Sequence, residues 1–405
     1  MYSENVIERH LHTVAKALKL KPKRVSISKA EEWTAHLNSL LKDGRLKRPL
    51  KTEERAFIQN ERLIGKLDYR YWAERYSTIN LDGSVGLGIG HFHPWESQEL
   101  TLKVIAAVEE ENFASFEEGS PCDGICIVQH KSRQLGATCL ARSLMMHRAT
   151  LWEYTRAMAA SVDEPKVHDQ LYSRDKVCYD NLPWYLKPRI LFDVKNKHLT
   201  FDGIHSSIMY QQSNQESGMG QGSQFDISHL TEVASWQNPA VIRYDFIPTI
   251  PQSPFAFCIL ESTANGRGNW WHTFTEEVRR REHRRWHYCF WPWYVNARKY
   301  RAKPPPAWKP SELTLLHAKK VYDTSREWVG HDVLLPQEQL YWYESERASA
   351  KRLGELNLFL TNYATTPEES FQHSTLSAFS TELLEEMRLQ TTVGKSYEFR
   401  LEVRQ

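Results

Sequence analysis

Two periodicities of hydrophobic and polar residues run along the chain, and each predicts a different kind of element. Residues 1–66 are strongly charged, and their apolar residues recur at three- and four-residue spacing, as on one face of an amphipathic helix. These apolar residues are Ile7, Leu11, Val14 and Leu18. Residues 99–111 and 139–154 also carry helical patterns. The chain is therefore predicted to begin with helices and to contain further helices in its middle.

Short apolar runs rich in β-branched residues separate these helices and predict strands. The runs are residues 125–130, 199–211, 224–230 and 256–260. Ahead of them, glycines interleaved with Val85, Leu87 and Ile89 predict a hairpin or an extended strand, because no strong helix follows directly. Strands that alternate with helices favour an α/β fold with a mostly parallel sheet.

The second half of the chain is predicted to end in helices. An arginine-rich helix is predicted over residues 276–288, and the prolines of residues 303–306 mark a boundary after it. Residues 311–330 and 336–360 predict two helices of a small subdomain packed on the α/β core. The predicted division is a helical segment at 1–66, a core at 67–300, a helical subdomain at 301–375, and a tail at 376–405 with one more helix and a strand.

Composition narrows the functional classes. The 405 residues carry a net charge of only +2, so any affinity for nucleic acid must come from local patches. Six scattered cysteines, with no pattern of a signal peptide, lead us to expect a reducing, intracellular setting. No apolar run approaches the ~20 residues that a membrane-spanning helix needs.

The candidate chemistry centres on residues 125–138, where an apolar strand runs into a short polar loop and then a helix. Free backbone N–H groups and the helix dipole favour an anion at such a place. The common phosphate-loop pattern has a lysine directly before its last Ser or Thr. In this chain Ala137 precedes Thr138. Either the loop is not a phosphate site, or another cation takes the place of that lysine.

A phosphate-loop ATPase also needs a carboxylate that orients water, a means of holding Mg²⁺ and a cation near the γ-phosphate. Residues 224–232 predict a strand that ends in Glu232, and we expect this strand to adjoin the strand of the loop. Thr231 stands where an aspartate usually holds Mg²⁺ through water. The strand at 256–260 leads into residues 261–269, which place hydroxyl and amide groups at the carboxyl edge of the sheet, where ligands bind.

Six segments in this order resemble signature segments of the large terminase subunit of tailed bacteriophages, the motor that packages DNA. The segments KSRQLGAT from Lys131, HLTEVASW from His229 and ESTANGRGN from Glu261 are similar to its Walker A, Walker B and coupling motifs. PWESQ at 94–98, FWPW at 290–293 and TPEESF at 366–371 resemble its adenine-recognition segment and two family signposts. The similarity covers roughly residues 65–380.

The resemblance implies a P-loop NTPase core of the ASCE type, with a helical lid, that binds ATP and Mg²⁺. It implies that Gln98 contacts adenine, that Lys131 replaces the missing lysine, and that Glu232 activates water. It also implies that Arg133 approaches or senses the γ-phosphate. The implied nucleotide-binding residues are Gln98, Lys131, Ser132, Arg133, Gln134, Leu135, Gly136, Ala137 and Thr138. Thr138 would bind Mg²⁺, and Thr231 would hold the ion through water. Thr263, Asn265 and Gly266 would couple hydrolysis to movement. The candidates for an arginine that acts across a subunit boundary are Arg243 and Arg267.

The implied function is ATP-driven translocation of double-stranded DNA into a procapsid. The implied partners are DNA bound without sequence preference, a portal protein, a small terminase subunit and further copies of this chain in a ring, in the host cytoplasm and without a membrane. Two alternatives stay open: another P-loop motor such as a helicase, or a hydrolysis-deficient docking or assembly module, for which Ala137 and Thr231 argue. Because no aspartate follows Asp332 and only about thirty residues follow the lid, we expect no RNase H-like nuclease and no DNA cleavage by this chain.

Overall fold

The computed structural model describes residues 14–16, 18–21, 23–81, 88–213, 219–220 and 222–371. Its strands are β1 (Leu41–Lys42), β2 (Arg45–Leu46), β3 (Thr78–Asn80), β4 (Ile89–His91), β5 (Ile125–Lys131), β6 (Arg156–Ser161), β7 (Ile190–Val194), β8 (His198–Phe201), β9 (Ser206–Gln212), β10 (Ile227–Thr231), β11 (Phe257–Ser262) and β12 (Trp286–Trp291). Its longer helices are α1 (Ile27–Ser39), α2 (Thr52–Leu67), α3 (Tyr69–Tyr76), α4 (Glu96–Glu117), α5 (Ala137–Leu151), α6 (Ser173–Asn181), α7 (Trp270–Arg279), α8 (Glu312–Val329), α9 (Gln337–Arg352), α10 (Leu356–Asn362) and α11 (Pro367–Ser370).

Eight strands form one sheet in the order β12-β5-β11-β10-β6-β9-β8-β7. Neighbours from β12 to β9 run parallel, whereas β8 pairs antiparallel with both β9 and β7. The prediction of an α/β fold with a mostly parallel sheet is confirmed. Because the six parallel strands point the same way, their carboxyl ends meet at one edge, where the loops after β5, β10 and β11 come together.

The central strands are buried on both faces, which explains their nearly unbroken apolar sequences. In β5, Ile125 and Ile127 pack into a core shared with α2, α3, α4 and α5. Cys126 and Val128 face the opposite side and pack into a second core with Trp271 of α7. Successive side chains of a strand point to opposite faces, so one strand serves both cores.

The helical lid consists of α8 to α11 and is anchored by aromatic residues. Trp293, just after β12, stacks on Tyr343 of α9 with 5.2 Å between ring centroids. It also lies beside His317 of α8 and Trp342 of α9. The abundance of tryptophan in the second half of the chain therefore serves in part to join the lid to the sheet.

Three predicted elements are wrong in detail. Residues 199–211 form a hairpin of β8 and β9, because positive φ at Gly203 and His205 turns the chain between them. The arginine-rich region is helical only as far as Arg279, and β12 begins at Trp286. The helix predicted at 336–360 divides into α9 and α10 at Gly354, whose φ of 73° is left-handed.

Strand β6 was missed altogether. Its sequence, RAMAAS, is rich in alanine, which favours helices in isolation, and only its place between β10 and β9 makes it a strand. The short hairpin β1–β2 inside the predicted amino-terminal helical segment was not predicted either. The predictions that rest on Ile7, Leu11, Val85 and Leu87, and on residues 376–405, fall outside the described residues. Among the described helices, none is long and apolar enough to cross a membrane.

Candidate functional site

The loop from Lys131 to Thr138 joins the end of β5 to the start of α5. Its turn depends on Gly136, which precedes the first residue of α5 with a left-handed φ of 79°. A Cβ atom at this position would also lie 2.5 Å from Nε2 of Gln98, and Cβ atoms in proteins essentially never have a non-bonded neighbour so close. The left-handed backbone therefore favours glycine, and a Cβ atom here would displace the Gln98 amide. The amino terminus of the fifteen-residue helix α5 is thereby presented to the sheet edge.

Residues at the start of α4 hold this loop by its backbone. Ser97 donates a hydrogen bond to the carbonyl of Leu135 at 3.0 Å, and Gln98 Nε2 donates one to the carbonyl of Gly136 at 2.8 Å. Gln98 Oε1 accepts a bond from the backbone N–H of Trp95 at 2.8 Å. Both halves of the Gln98 amide are thus engaged by the protein. Gln98 lines the cavity described below, and its contact with adenine stays a prediction.

Ser132 and Arg133 face the lid, and neither is among the residues that line the cavity. The Ser132 hydroxyl bonds the carbonyl of Ala364 at 3.2 Å. Arg133 Nε donates to Oδ1 of Asn362 at 2.8 Å, and the Arg133 backbone N–H donates to the carbonyl of the same residue at 2.9 Å. The structure therefore places the predicted γ-phosphate arginine against the end of α10. Reaching a phosphate from there requires the Asn362 contact to break.

Glu232 stands at the carboxyl end of β10 with a left-handed φ of 56°, which is uncommon for a residue other than glycine. Its carboxylate forms an ion pair with Lys166, in the helical turn Glu164–Lys166 that follows β6. The expectation that its strand adjoins the strand of the loop is wrong, because β11 lies between β5 and β10. The sequence could not show this, because β11 comes later in the chain and is inserted by a crossover.

A cavity of about 970 Å³ lies at this edge and is shared by the loop and the end of β10. Lys131, Thr138, Thr231 and Glu232 line it, together with Gln134 to Ala137 of the loop. Four cationic residues without any motif also line it, namely Arg142, Arg174, Arg298 and Lys299. Sequence reasoning missed them, because they come from two helices and a turn far apart in the chain. A cavity with the amino terminus of α5 and several cations at its wall favours a phosphate group.

The fully buried residue Glu261 connects the loop to the two strands behind it. Its Oε1 accepts bonds from the hydroxyl of Thr138 at 2.6 Å and from the ring of His229 at 2.9 Å. Burial by itself raises the pKa of this carboxyl, but the charge of Lys131 and the bonds from His229 and Thr138 outweigh burial and hold the pKa well below its usual range. A charged glutamate therefore lies directly behind the loop. Sequence reasoning quoted Glu261 but gave it no role.

The predicted coupling segment ties Glu232 to helix α7. Asn265 Nδ2 donates to the carbonyl of Ala234, two residues beyond Glu232, at 3.1 Å. Asn269 Nδ2 donates to the carbonyls of Asn265 and Gly266, and Asn269 Oδ1 caps α7. Thr263 is half-buried. These residues lie outside the cavity lining, so their contacts are to the turn after Glu232.

Arg243 and Arg267 are both exposed and do not line the cavity. In the arginine-rich region, Arg279 pairs with Glu368 of the lid at 2.6 Å, and Arg284 pairs with Asp123 at 2.8 Å.

The strand order decides the fold class. The strand β5, which leads into the phosphate loop, is followed in the sheet by the inserted strand β11 and then by β10, which leads directly to Glu232. β12 lies on the outer side of β5, and β6 lies on the outer side of β10. The fold is that of a P-loop NTPase of the ASCE type. In such folds the residues from the ends of the loop strand and the glutamate strand act on one bound nucleotide. The cavity shared by Lys131, Thr138 and Glu232 has this arrangement.

No family model and no curated protein matches the chain, but solved structures of bacteriophage large terminases do. The HK97 bacteriophage large terminase is 9% identical over 74% of this chain and 54% of that chain, with a TM-score of 0.47. The large terminase ATPase domain of Thermus phage P74-26 is 12% identical over 59% of this chain and 87% of that domain, with a TM-score of 0.38. This chain spans about half the length of the HK97 protein.

A third similar structure is the large terminase of another thermophilic bacteriophage. It is 14% identical over 49% of this chain and 46% of that chain, with a TM-score of 0.35. A further structure of the same phage protein is in complex with ADP. At these identities the likeness is one of fold alone.

The donor set around the cavity fits a nucleotide with its metal. Among the described residues, no group of three or more His, Cys, Asp or Glu side chains could hold a metal ion without other ligands. Mg²⁺ commonly takes one or two protein groups and completes its shell with phosphates and water. Thr138 and the acids near it offer that number of groups. Behind them, Oε2 of Glu261 is buried and has no hydrogen-bond partner in the described part of the chain.

Proposed function

We propose that this chain is an ATPase that drives translocation of double-stranded DNA into a viral procapsid, the role of a large terminase subunit. The observation that carries the proposal is the meeting of Lys131, Thr138 and Glu232 around one cavity at the carboxyl edge of the sheet. The ordered resemblance of six segments to terminase motifs supports the DNA-packaging role.

The chain's own residues divide the work of hydrolysis. The loop backbone and the amino terminus of α5 bind phosphate, and Lys131 places a positive charge at the front of the loop. Glu232, once free of Lys166, orients and polarises the attacking water. Thr138 would hold Mg²⁺ through its hydroxyl oxygen, and the ion would supply positive charge to the phosphates of the nucleotide. The segment from Asn265 to Asn269 links the turn after Glu232 to α7 and transmits movement there.

The remaining parts of the proposal concern partners. We propose a ring of copies on a portal protein, with Arg243 or Arg267 reaching a neighbouring copy, because both are exposed and outside their own cavity. DNA contacts should be mostly to phosphates, so binding should weaken steeply as salt rises. A small terminase subunit is the proposed partner of the amino-terminal helices.

Removing either key side chain tests the ATPase directly. Lys131→Ala and Glu232→Gln should each lower DNA-stimulated ATP hydrolysis by roughly 100-fold or more, the usual cost of losing a charge-stabilising group or a general base. Phosphate release in the presence of double-stranded DNA is the measurement. Lys195→Ala, a change at an exposed lysine between β7 and β8, is the matched control. Wild-type turnover in both variants would contradict the proposal.

Two other functions give different results in the same assay. A helicase would separate the strands of a forked duplex, whereas a packaging motor would hydrolyse ATP on intact duplex without strand separation. A hydrolysis-deficient docking module, for which Ala137 and Thr231 argue, would bind nucleotide without turnover even when DNA and portal are present. The position of Glu232 in the cavity lining and the hydrogen bond from Thr138 to the buried Glu261 favour an active site over such a module.

A further inference from the structure

Thr231 lacks the carboxylate that an ATPase of this class needs near its metal, and its neighbour in the sheet supplies one. In the parallel ladder between β10 and β11, the residue in register with Thr231 is Glu261. Adjacent strands lie about 4.8 Å apart, so Glu261 occupies the same level of the sheet, displaced by one strand towards the phosphate loop. On its other side Glu261 is in register with Gln129 of β5, two residues before Lys131.

The contacts of Glu261 are those of a group that orients Thr138. The hydroxyl of Thr138 donates its only proton to Glu261 Oε1 at 2.6 Å. The lone pairs of that hydroxyl then remain for another partner, and Thr138 lines the cavity. A hydroxyl that donates to a carboxylate is a better ligand for a cation than one that donates to water, because the carboxylate raises its electron density.

Further buried contacts fix Glu261 itself. Arg142 Nη1 lies 3.5 Å from Nδ1 of His229, and because an arginine only donates, that ring nitrogen accepts. The His229 proton therefore sits on Nε2 and is donated to Glu261 Oε1 at 2.9 Å. Arg142 also donates to Asp175 through Nε at 2.9 Å. The whole chain of residues is buried, so Glu261 has little freedom to turn away from Thr138.

One oxygen of Glu261 remains without a hydrogen bond. Oε2 is buried and accepts no hydrogen bond from the described residues, and it forms only a longer ion pair with Lys131 Nζ at 3.6 Å. A buried carboxylate that served only to hold the fold would be expected to have both oxygens satisfied. The Glu261 carboxylate thus contacts Thr138 through Oε1 and Lys131 through Oε2, and these two residues are at the ends of the phosphate loop.

We propose that Glu261 takes the place of the acid missing at Thr231 and is the positioning residue for the magnesium ion of the bound nucleotide. It holds the Thr138 hydroxyl with its lone pairs towards the cavity, and its negative charge favours a cation there. This inference rests on the proposed function, because the ion is expected to arrive with ATP. It assigns the role to a residue on the inserted strand β11, where the sequence led us to look on β10.

Metal-dependent nucleotide binding separates this role from a structural one. The affinity of the full chain for a non-hydrolysable ATP analogue is measured by calorimetry, once with Mg²⁺ and once with EDTA. In Glu261→Gln the gain in affinity due to Mg²⁺ should shrink by roughly 10- to 100-fold, the usual effect of losing a group that orients a metal ligand. Binding in EDTA should keep the wild-type affinity. Glu276→Gln, at a partly exposed glutamate of α7 that pairs with Arg279, is the matched control.

Restoring an acid on the original strand provides a rescue. Thr231→Asp added to Glu261→Gln should recover most of the lost Mg²⁺ dependence, because the two positions are in register. A merely structural defect at Glu261 would not be repaired by a carboxylate on β10. Undiminished Mg²⁺ dependence in Glu261→Gln would overturn the proposal, and so would a loss that Thr231→Asp leaves unrepaired.

A wild-type measurement covers the case in which Glu261→Gln does not fold. The structure of the wild-type chain with Mg²⁺ and the analogue should retain the Thr138–Glu261 hydrogen bond, with the Thr138 hydroxyl on the metal. A metal site without Thr138, or a Thr138 hydroxyl turned away from Glu261, would overturn the inference while leaving an ATPase intact. Failure of the wild-type chain to bind any adenine nucleotide would overturn the proposed function and this inference together.

Discussion

At the scale of single residues, the ion pair between Lys166 and Glu232 bears most directly on activity. In the proposed mechanism Glu232 orients water, and an ammonium group bound to its carboxylate occupies an oxygen that this role needs. Both side chains are about one-third exposed, at 36% and 35%, so the pair is weak enough to break during a catalytic cycle. Under the proposed function, we therefore expect the pair to restrain hydrolysis without preventing it.

Removing Lys166 should raise the basal rate. Lys166→Gln should increase ATP hydrolysis in the absence of DNA by at most about five-fold, since partly exposed pairs contribute about 0.2–1 kcal/mol. The ratio of DNA-stimulated to basal turnover should fall accordingly. Lys176→Gln, at another partly exposed lysine that pairs with Asp180 and Asp193, is the control. A lower basal rate in Lys166→Gln would show instead that the lysine assists hydrolysis.

The sequence was largely enough to predict which residues of the loop region belong to the site, but it did not predict which residues they contact. Gly136 and Thr138 could be picked out because they keep the spacing of a phosphate loop, in which Lys131 replaces the first glycine and Ala137 replaces the lysine, and the role of Lys131 was implied by the resemblance to terminases. Nothing local indicated that Arg133 contacts Asn362 or that Glu261 accepts the Thr138 hydroxyl, since each partner lies more than a hundred residues away.

At the scale of elements, a buried polar network fastens α5 to its neighbours. Arg142 of α5 pairs with Asp175 of α6, and Tyr210 of β9 donates to Asp175 Oδ2 at 2.6 Å. His229 of β10 extends this network to Glu261 of β11. The helix that begins at the phosphate loop is thus attached to three strands and a helix by charged and polar groups.

Breaking this network should be costly. Arg142→Met leaves the Asp175 carboxylate buried without its cation, and we expect a loss of about 3–5 kcal/mol in the free energy of unfolding. Arg156→Met, which breaks the more exposed pair with Asp226, should cost no more than about 1 kcal/mol. Urea unfolding of both variants measures the difference. Equal effects would mean that the buried network does not stabilise the position of α5.

The lid is joined to the sheet through the phosphate-loop strand itself. Ser370 donates to the carbonyl of Pro367 at 2.6 Å, so its oxygen accepts from Nε2 of His130 in β5 at 2.9 Å. The ring of Phe371 lies 4.8 Å from that of His130. The segment TPEESF, noticed in the sequence only as a family signpost, therefore has a structural role: it places α11 against the strand that carries the loop.

At the scale of the whole molecule, three buried histidines make the fold sensitive to acid. Burial, with nearby positive charges, lowers the pKa of His130, His147 and His317 to about 3, from 6.5. The folded state then keeps these rings neutral while the unfolded chain binds protons as pH falls below 6.5. Their contribution to stability is present above pH 6.5 and is lost progressively as pH falls towards 3.

The effect of His317 on stability can be tested without removing a hydrogen bond. Both ring nitrogens of His317 lack a partner in the described part of the chain, and the ring stacks 3.7 Å from that of Tyr343. His317→Phe should keep the stacking and leave stability at about pH 7.5 unchanged or higher. At about pH 5.5 it should gain about 1.4 kcal/mol over the wild type, the proton-linked cost of one such histidine. An equal difference at the two pH values, measured by urea unfolding, would contradict this account, and His331→Phe on the surface is the control.

The sequence by itself determined the class of fold and the residue types at the site. Strands that are buried on both faces have unbroken apolar sequences, and a phosphate loop needs particular residues at a fixed local spacing. Both patterns can therefore be recognised in the sequence. The tertiary structure decided what depends on distant segments. The alanine-rich β6 became a strand because β10 and β9 flank it, and β11 was inserted between the loop strand and the strand of Glu232. That insertion places Glu261 behind Thr138, a contact across 123 residues that no local pattern can encode.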